Sequence, residues 1–167
     1  QEHVTVITDP LGNRTVHQHD NRNRLVQITD PLRQTMTMAY DEDNNQTQIV
    51  DKRGNTTHLE YDGRGNLTRS IDALGNATVF VYDTNNNLTQ TTDAEGNITI
   101  YAYDANGNLE RTTDALANET VLTVNSHGQP LTITDANGHT STYTYDAQGN
   151  LEQTTDALGN TITYAYD

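Results

Sequence analysis

The chain of 167 residues contains no cysteine, no tryptophan and a single phenylalanine, and only 32% of it is apolar. Lacking cysteine, it can form no disulfide, thiolate nucleophile or cysteine-based zinc site, although this does not fix a compartment. So few large apolar residues do not suffice for a compact core of Leu, Ile and Phe. Basic residues are scarce as well, 9 Lys+Arg against 23 Asp+Glu, for a net charge of −14. Nucleic acid and anionic membranes are therefore poor partners, since phosphate binding rests on basic charge. No apolar run approaches the roughly 20 residues of a membrane span. No leader is visible at Gln1, and the chain starts and stops inside its own repeat, so its natural termini are expected to lie beyond it.

Low hydrophobicity with high net charge ordinarily signals disorder. The periodicity of this sequence argues the opposite. Asp recurs at Asp9, Asp30, Asp51, Asp72, Asp93, Asp114, Asp135 and Asp156, always 21 residues apart. A second column reads His19, Tyr40, Tyr61, Tyr82, Tyr103, Val124, Tyr145 and Tyr166, and Asp follows it everywhere except at Asn125. No insertion breaks the register. Residues 1–167 are thus expected to form one array of eight units, with no separate catalytic domain.

Each unit carries two turn signals, such as Asp72-Ala73-Leu74-Gly75-Asn76 and Asp104-Ala105-Asn106-Gly107-Asn108. Asp can accept a hydrogen bond from the backbone two residues on, and Gly65, Gly107 and Gly149 accept the positive φ that closes such a loop. A type I turn followed by a left-handed residue and a bulge is the natural candidate. Where Gly is missing, Asn23, Asn44 and Asn86 take its place, and Asn best tolerates that conformation among other residues. Two turns of about five residues leave about eleven for two strands, near the usual length of ~5–6 each.

The strand before each Tyr-Asp pair alternates. Thr99, Tyr101 and Tyr103 share one face, as do Thr78, Phe80 and Tyr82, or Ser141, Tyr143 and Tyr145. The opposite face reads as small or polar, as with Thr140, Thr142 and Thr144. This period of two implies an antiparallel sheet covered on its aromatic side. The other strand, such as Leu88–Thr92, has one apolar residue, at its start. Helix is disfavoured because turn residues return about every ten positions. Stability is expected to be a nearest-neighbour sum along the array. Tyr103→Ala in mid-array should then cost roughly 2–4 kcal/mol, and His19→Ala at the divergent end little.

The segments Tyr101–Leu109 and Tyr143–Leu151 carry the pattern Y-x-Y-D-x-x-G-N-L and resemble the YD repeat of the rearrangement-hotspot (RHS) family, a resemblance that spans the chain. That family includes bacterial polymorphic toxins, insecticidal toxin-complex subunits, wall-associated proteins and teneurins. The resemblance implies an all-β fold of tandem hairpin repeats in an extended, curled antiparallel sheet, a segment of an RHS/YD shell. It further implies a non-enzymatic scaffold of a secreted or cell-surface bacterial protein that walls off or presents a passenger domain. Flanking repeats and that passenger would be the partners. The sequence departs from the family in three respects. Thr78, Thr99 and Thr120 stand where Arg is common; the unit at Val124–Pro130 is degenerate and suggests a kink or an edge; and residues 1–167 do not include the family's self-cleaving element. Asp9-Pro10-Leu11-Gly12 resembles part of that element but sits in the column of ordinary turns.

Other chemistry finds weaker support. Alternating oxygens, as in Asp104, Asn106 and Asn108, faintly resemble a calcium loop, but Gly falls at the fourth position and Ala115 occupies the twelfth, where an EF-hand needs Glu. A calcium-binding repeat is the minor alternative. Six His are scattered without a pair at zinc-binding helical spacing, and His17 and His19 share a strand face at a divergent repeat. They read as strand filling. Asn-x-Thr sites and the Asn106-Gly107 and Asn137-Gly138 pairs follow from turns opening into strands. No catalytic residue, cofactor or metal ligand is indicated. Rows of Tyr, Asn and Asp leave one further alternative, an adhesive module binding carbohydrate or protein. Open sheet edges invite self-association.

Overall fold

A computed structural model describes residues 3–167 and places them in antiparallel strands joined by tight turns. The chain divides into two units, residues 1–80 and 81–167. In the first lie β1 (His3–Thr8), β2 (Arg14–His19), β3 (Leu25–Thr29), β4 (Thr35–Tyr40), β5 (Gln46–Val50), β6 (Thr56–Tyr61) and β7 (Leu67–Ile71). β8 (Ala77–Tyr82) carries the division between Phe80 and Val81. The second unit holds β9 (Leu88–Thr92), β10 (Ile98–Tyr103), β11 (Leu109–Thr113), β12 (Glu119–Val124), β13 (Pro130–Thr134), β14 (Thr140–Tyr145), β15 (Leu151–Thr155) and β16 (Thr161–Thr163). Within each unit the strands follow sequence order, and β1 and β16 each have one neighbour. No helix occurs among the described residues.

The repeat builds two kinds of strand pair. Hairpins closed over Asp9, Asp30, Asp93 and their equivalents pair without a shift, as in Thr92↔Ile98, Thr91↔Thr99 and Gln90↔Ile100. Hairpins closed over Asp20, Asp41, Asp104 and their equivalents slip by one residue just before the Tyr column. Ala102 faces Arg111 but Tyr103 faces Leu109, so Glu110 bulges out of the ladder. The same slip precedes His19, Tyr40, Tyr61, Val124 and Tyr145. Placing one extra residue beside a left-handed turn residue is the physical signature of this class of loop.

The degenerate unit does not form an edge. Val124 faces Pro130 after the usual slip, and β12 pairs on both sides. Proline lacks a donor, but at the first position of a strand and beside a bulge none is required.

Alternation sorts the side chains as the sequence implies, but coverage does not follow. Along β14, Ser141, Tyr143 and Tyr145 are half-buried while Thr142 and Thr144 are exposed. Ladder rows on the same face join Met38, Ile49 and Thr57, and Leu122, Ile133 and Ser141. Yet no side chain among the described residues is fully buried. Within each unit the side chains are shielded by their cross-strand neighbours, with no further element packed over the sheet among the described residues. Nor is the opposite face uniformly small or polar, since Val79, Ile98 and Ile100 lie on it, Ile100 half exposed at 50%.

Candidate functional site

The recurring chemistry lies in the turns. Taking Asp104 as the example, its backbone N–H donates to the Asn108 carbonyl at 2.9 Å, and Gly107 N–H donates to the Asp104 carbonyl at 3.0 Å. Its Oδ1 accepts from the Asn106 and Asn108 backbone N–H groups, at 2.8 and 2.9 Å. Its Oδ2 accepts from the Asn108 side-chain amide at 2.9 Å. Asp9, Asp51, Asp72, Asp93, Asp114 and Asp156 bind their own turns in the same way. Asp135 uses the His139 ring and Asp30 the Lys52 ammonium for the outer oxygen, at 3.0 and 2.7 Å. At Asn125 the amide oxygen accepts from His127 and Gln129 N–H, so the degenerate turn keeps the same wiring.

These bonds favour the ionised carboxylate. The Asn66 side chain and then its backbone N–H hold Asp62 at a pKa of about 2, below the ordinary 3.8. Asp72, Asp104 and Asp146 are lowered for the same reason, by Asn76, Asn108 and Asn150. Such groups are committed acceptors. They point back into their own turns, and among the described residues no three metal-binding side chains converge.

The tyrosine column has a second role that the sequence did not disclose. Tyr40 Oη donates to the Leu25 carbonyl, Tyr103 Oη to Leu88 and Tyr166 Oη to Leu151, each at 2.9 Å. The ladder between β3 and β4 runs only from Gln27↔Thr37 to Thr29↔Thr35. Beyond it the strands lack cross-strand pairs, and the hydroxyl bridges that gap back to the preceding hairpin. Burial raises the pKa of Tyr61 and Tyr103, helped by the nearby Asp41 carboxylate for Tyr61 and by Tyr101, then Asp83, for Tyr103. Tyr61, Tyr82 and Tyr145 lie at equivalent, half-buried strand ends.

Neighbouring turns on the tyrosine side are also tied together. Arg24 pairs with Asp20 at 2.7 Å, donates to the Asp41 carbonyl at 2.8 Å and lies 4.9 Å over the Tyr40 ring. Gln129 Nε2 donates to the Gly149 carbonyl at 2.7 Å. A Cβ on Gly128 would meet Asn108 Oδ1 at 2.9 Å, whereas Gly138, on the other row, has nothing within 4 Å. Gly65, Gly107 and Gly149 all adopt positive φ, as do Asn23, Asn44 and Asn86. Arg33 and Ala117 do so too, at 64° and 63°, which composition did not suggest. The turns away from the tyrosines present Leu11, Leu32 and Leu74 at their tips in the first unit, and Leu116 and Leu158 in the second, each at least 80% exposed.

Comparison with known proteins agrees with this geometry. The sequence matches the family model described as RHS Repeat over residues 3–35, 40–77, 82–119 and 124–161. The crystal structure of TcdB2-TccC3 is similar at 17% identity and a TM-score of 0.60, over 92% of this chain and 11% of that one. The crystal structure of TcdB2-TccC3-Cdc42 is similar at 16% identity and a TM-score of 0.58, over 97% of this chain and 11% of that one. The chain thus spans about a tenth of the length of these structures. Comparison with curated proteins finds no significant match.

Proposed function

Because the chain belongs to the RHS repeat family, we propose that residues 1–167 form one stretch of repeat wall in a secreted or cell-surface bacterial protein, enclosing or presenting a passenger domain without catalysis of its own. The observation that carries this reading is the wiring of the turns. Each Asp that opens a described turn accepts hydrogen bonds from its own loop, so the polar groups an enzyme would aim at a substrate are spent on holding backbone. Tyrosine hydroxyls likewise serve carbonyls of the neighbouring hairpin. Structural partners are then flanking repeats and the passenger of the same polypeptide.

Limited proteolysis of the natural protein tests the proposal. A passenger that resists protease while the repeats are folded, and becomes sensitive when tyrosines of the column are replaced by Ala, supports a wall. A passenger cleaved equally in both contradicts it. The exposed Leu row favours a second reading, a module that docks another protein along the turn edge. Replacing Leu11, Leu32 and Leu74 by Ser would abolish such docking and leave a wall intact. Isolated, the fragment should self-associate through β1 and β16, whose outer backbone groups lack partners in the ladder; sedimentation showing only monomer at high concentration would contradict this.

A further inference from the structure

We propose that His3 and His19 form a two-imidazole site for a divalent cation of the Cu2+, Ni2+ and Zn2+ class across the β1–β2 pair of the first unit. His3 on β1 lies directly opposite His19 on β2. Their ring centroids are 6.5 Å apart with planes at 64°. His19 Nδ1 sits 3.3 Å from the His3 backbone carbonyl. A carbonyl only accepts, so in the neutral ring this contact favours the tautomer with its proton on Nδ1, in which Nε2 keeps its lone pair. Metal-binding imidazoles are oriented in this way, one nitrogen donating to a carbonyl or carboxylate while the other ligates.

Metal–nitrogen bonds of about 2.1 Å bring two adjacent imidazole centroids to about 5 Å. The exposed His3 side chain closes that difference by rotating about its χ angles. His17 lies two residues before His19, opposite Thr5, and so occupies the same face. Because no three ligands converge among the described residues, water would complete the coordination. Ligand softness selects the metal: imidazole suits Cu, Ni and Zn, whereas Ca2+ and Mg2+ take oxygen. The net charge of −14 raises the local concentration of any cation. Bound there, the ion would clamp the open end of the β1–β2 hairpin, remote from its turn at Asp9–Asn13.

Calorimetric titration of the whole chain with CuCl2, NiCl2 and ZnCl2 at neutral pH tests this. One saturable equivalent is expected, tightest for Cu2+. His3→Asn and His19→Asn should each weaken it at least about 10-fold, while His58→Asn and His127→Asn leave it unchanged. In the unaltered chain, substoichiometric Cu2+ should broaden the His3 and His19 imidazole resonances before those of His58 and His127, a readout independent of any variant's folding. Absence of saturable binding, retention of it in both His3→Asn and His19→Asn, or uniform broadening of all imidazoles would overturn the assignment.

Discussion

At the scale of single residues, a five-residue loop does nearly all the ordering. Asp at its first position satisfies two backbone donors with one oxygen, and Asn at its fifth closes onto the other. These bonds force the fourth residue to positive φ whatever its side chain, which is why Arg33 and Ala117 are found there. An L-residue pays about 1–2 kcal/mol for that conformation, partly offset by the chain entropy glycine loses. Ala117→Gly should therefore stabilise the chain by about 0.5 kcal/mol in denaturant unfolding. Gly128→Ala, at φ +76 and facing Asn108 Oδ1 at 2.9 Å, should destabilise more than Gly138→Ala, at φ +83 in open space. Equal losses would show that backbone strain alone governs these sites and that the turns do not pack on one another. Glycine and Asn at the fourth position were legible in the sequence because their φ preference is local. The Asn amide reaching back to Oδ2 was not, since the residue type names a donor without naming its acceptor.

Between elements, the hairpins are joined unequally. The ladder from one hairpin to the next is short, as between β13 and β14, where it runs from Thr132↔Thr142 to Thr134↔Thr140. Between β9 and β10, whose ladder is equally short, the Tyr103 hydroxyl supplies the link where the ladder ends. Tyr103→Phe deletes this bond and keeps the ring, and should cost about 1 kcal/mol. Tyr103→Ala also removes half-buried ring area, and should cost about 2 kcal/mol or more. Urea unfolding separates the two; a Phe variant as stable as the parent would demote the hydroxyl to a bystander. Alternation made the strands, their faces and their turns readable. Which face would be covered, and whether anything covers it, depends on atoms outside the hairpin. Ile98 and Ile100 on the supposedly polar face show that period two identifies sides without ranking them.

For the molecule as a whole, the repeated carboxylates couple folding to pH. Their folded pKa values lie below the ordinary 3.8, for Asp62 at about 2. A depressed folded pKa means that the unfolded chain binds protons first, so the stabilisation is complete above about pH 4 and is lost as pH falls toward about 2. Circular dichroism melts at constant ionic strength should show a melting temperature that drops across this window. A flat profile would mean the Asp bonds contribute nothing net. The family pattern was legible at this scale because eight copies of one period leave little ambiguity, whereas the clasp between hairpins emerged only when Tyr40 and Leu25, 15 residues apart, were seen to meet.

The central claim is that stability resides in contacts between neighbouring hairpins, since no side chain among the described residues forms a buried core. Equilibrium unfolding of a nested series, shortened one 21-residue repeat at a time from the C-terminal end, tests it most directly. The account predicts that both the free energy and the denaturant slope rise with each repeat added, fitting one intrinsic and one interfacial term. Stability that stays constant until one particular repeat is removed, and then collapses, would place it in a single local core and contradict the account.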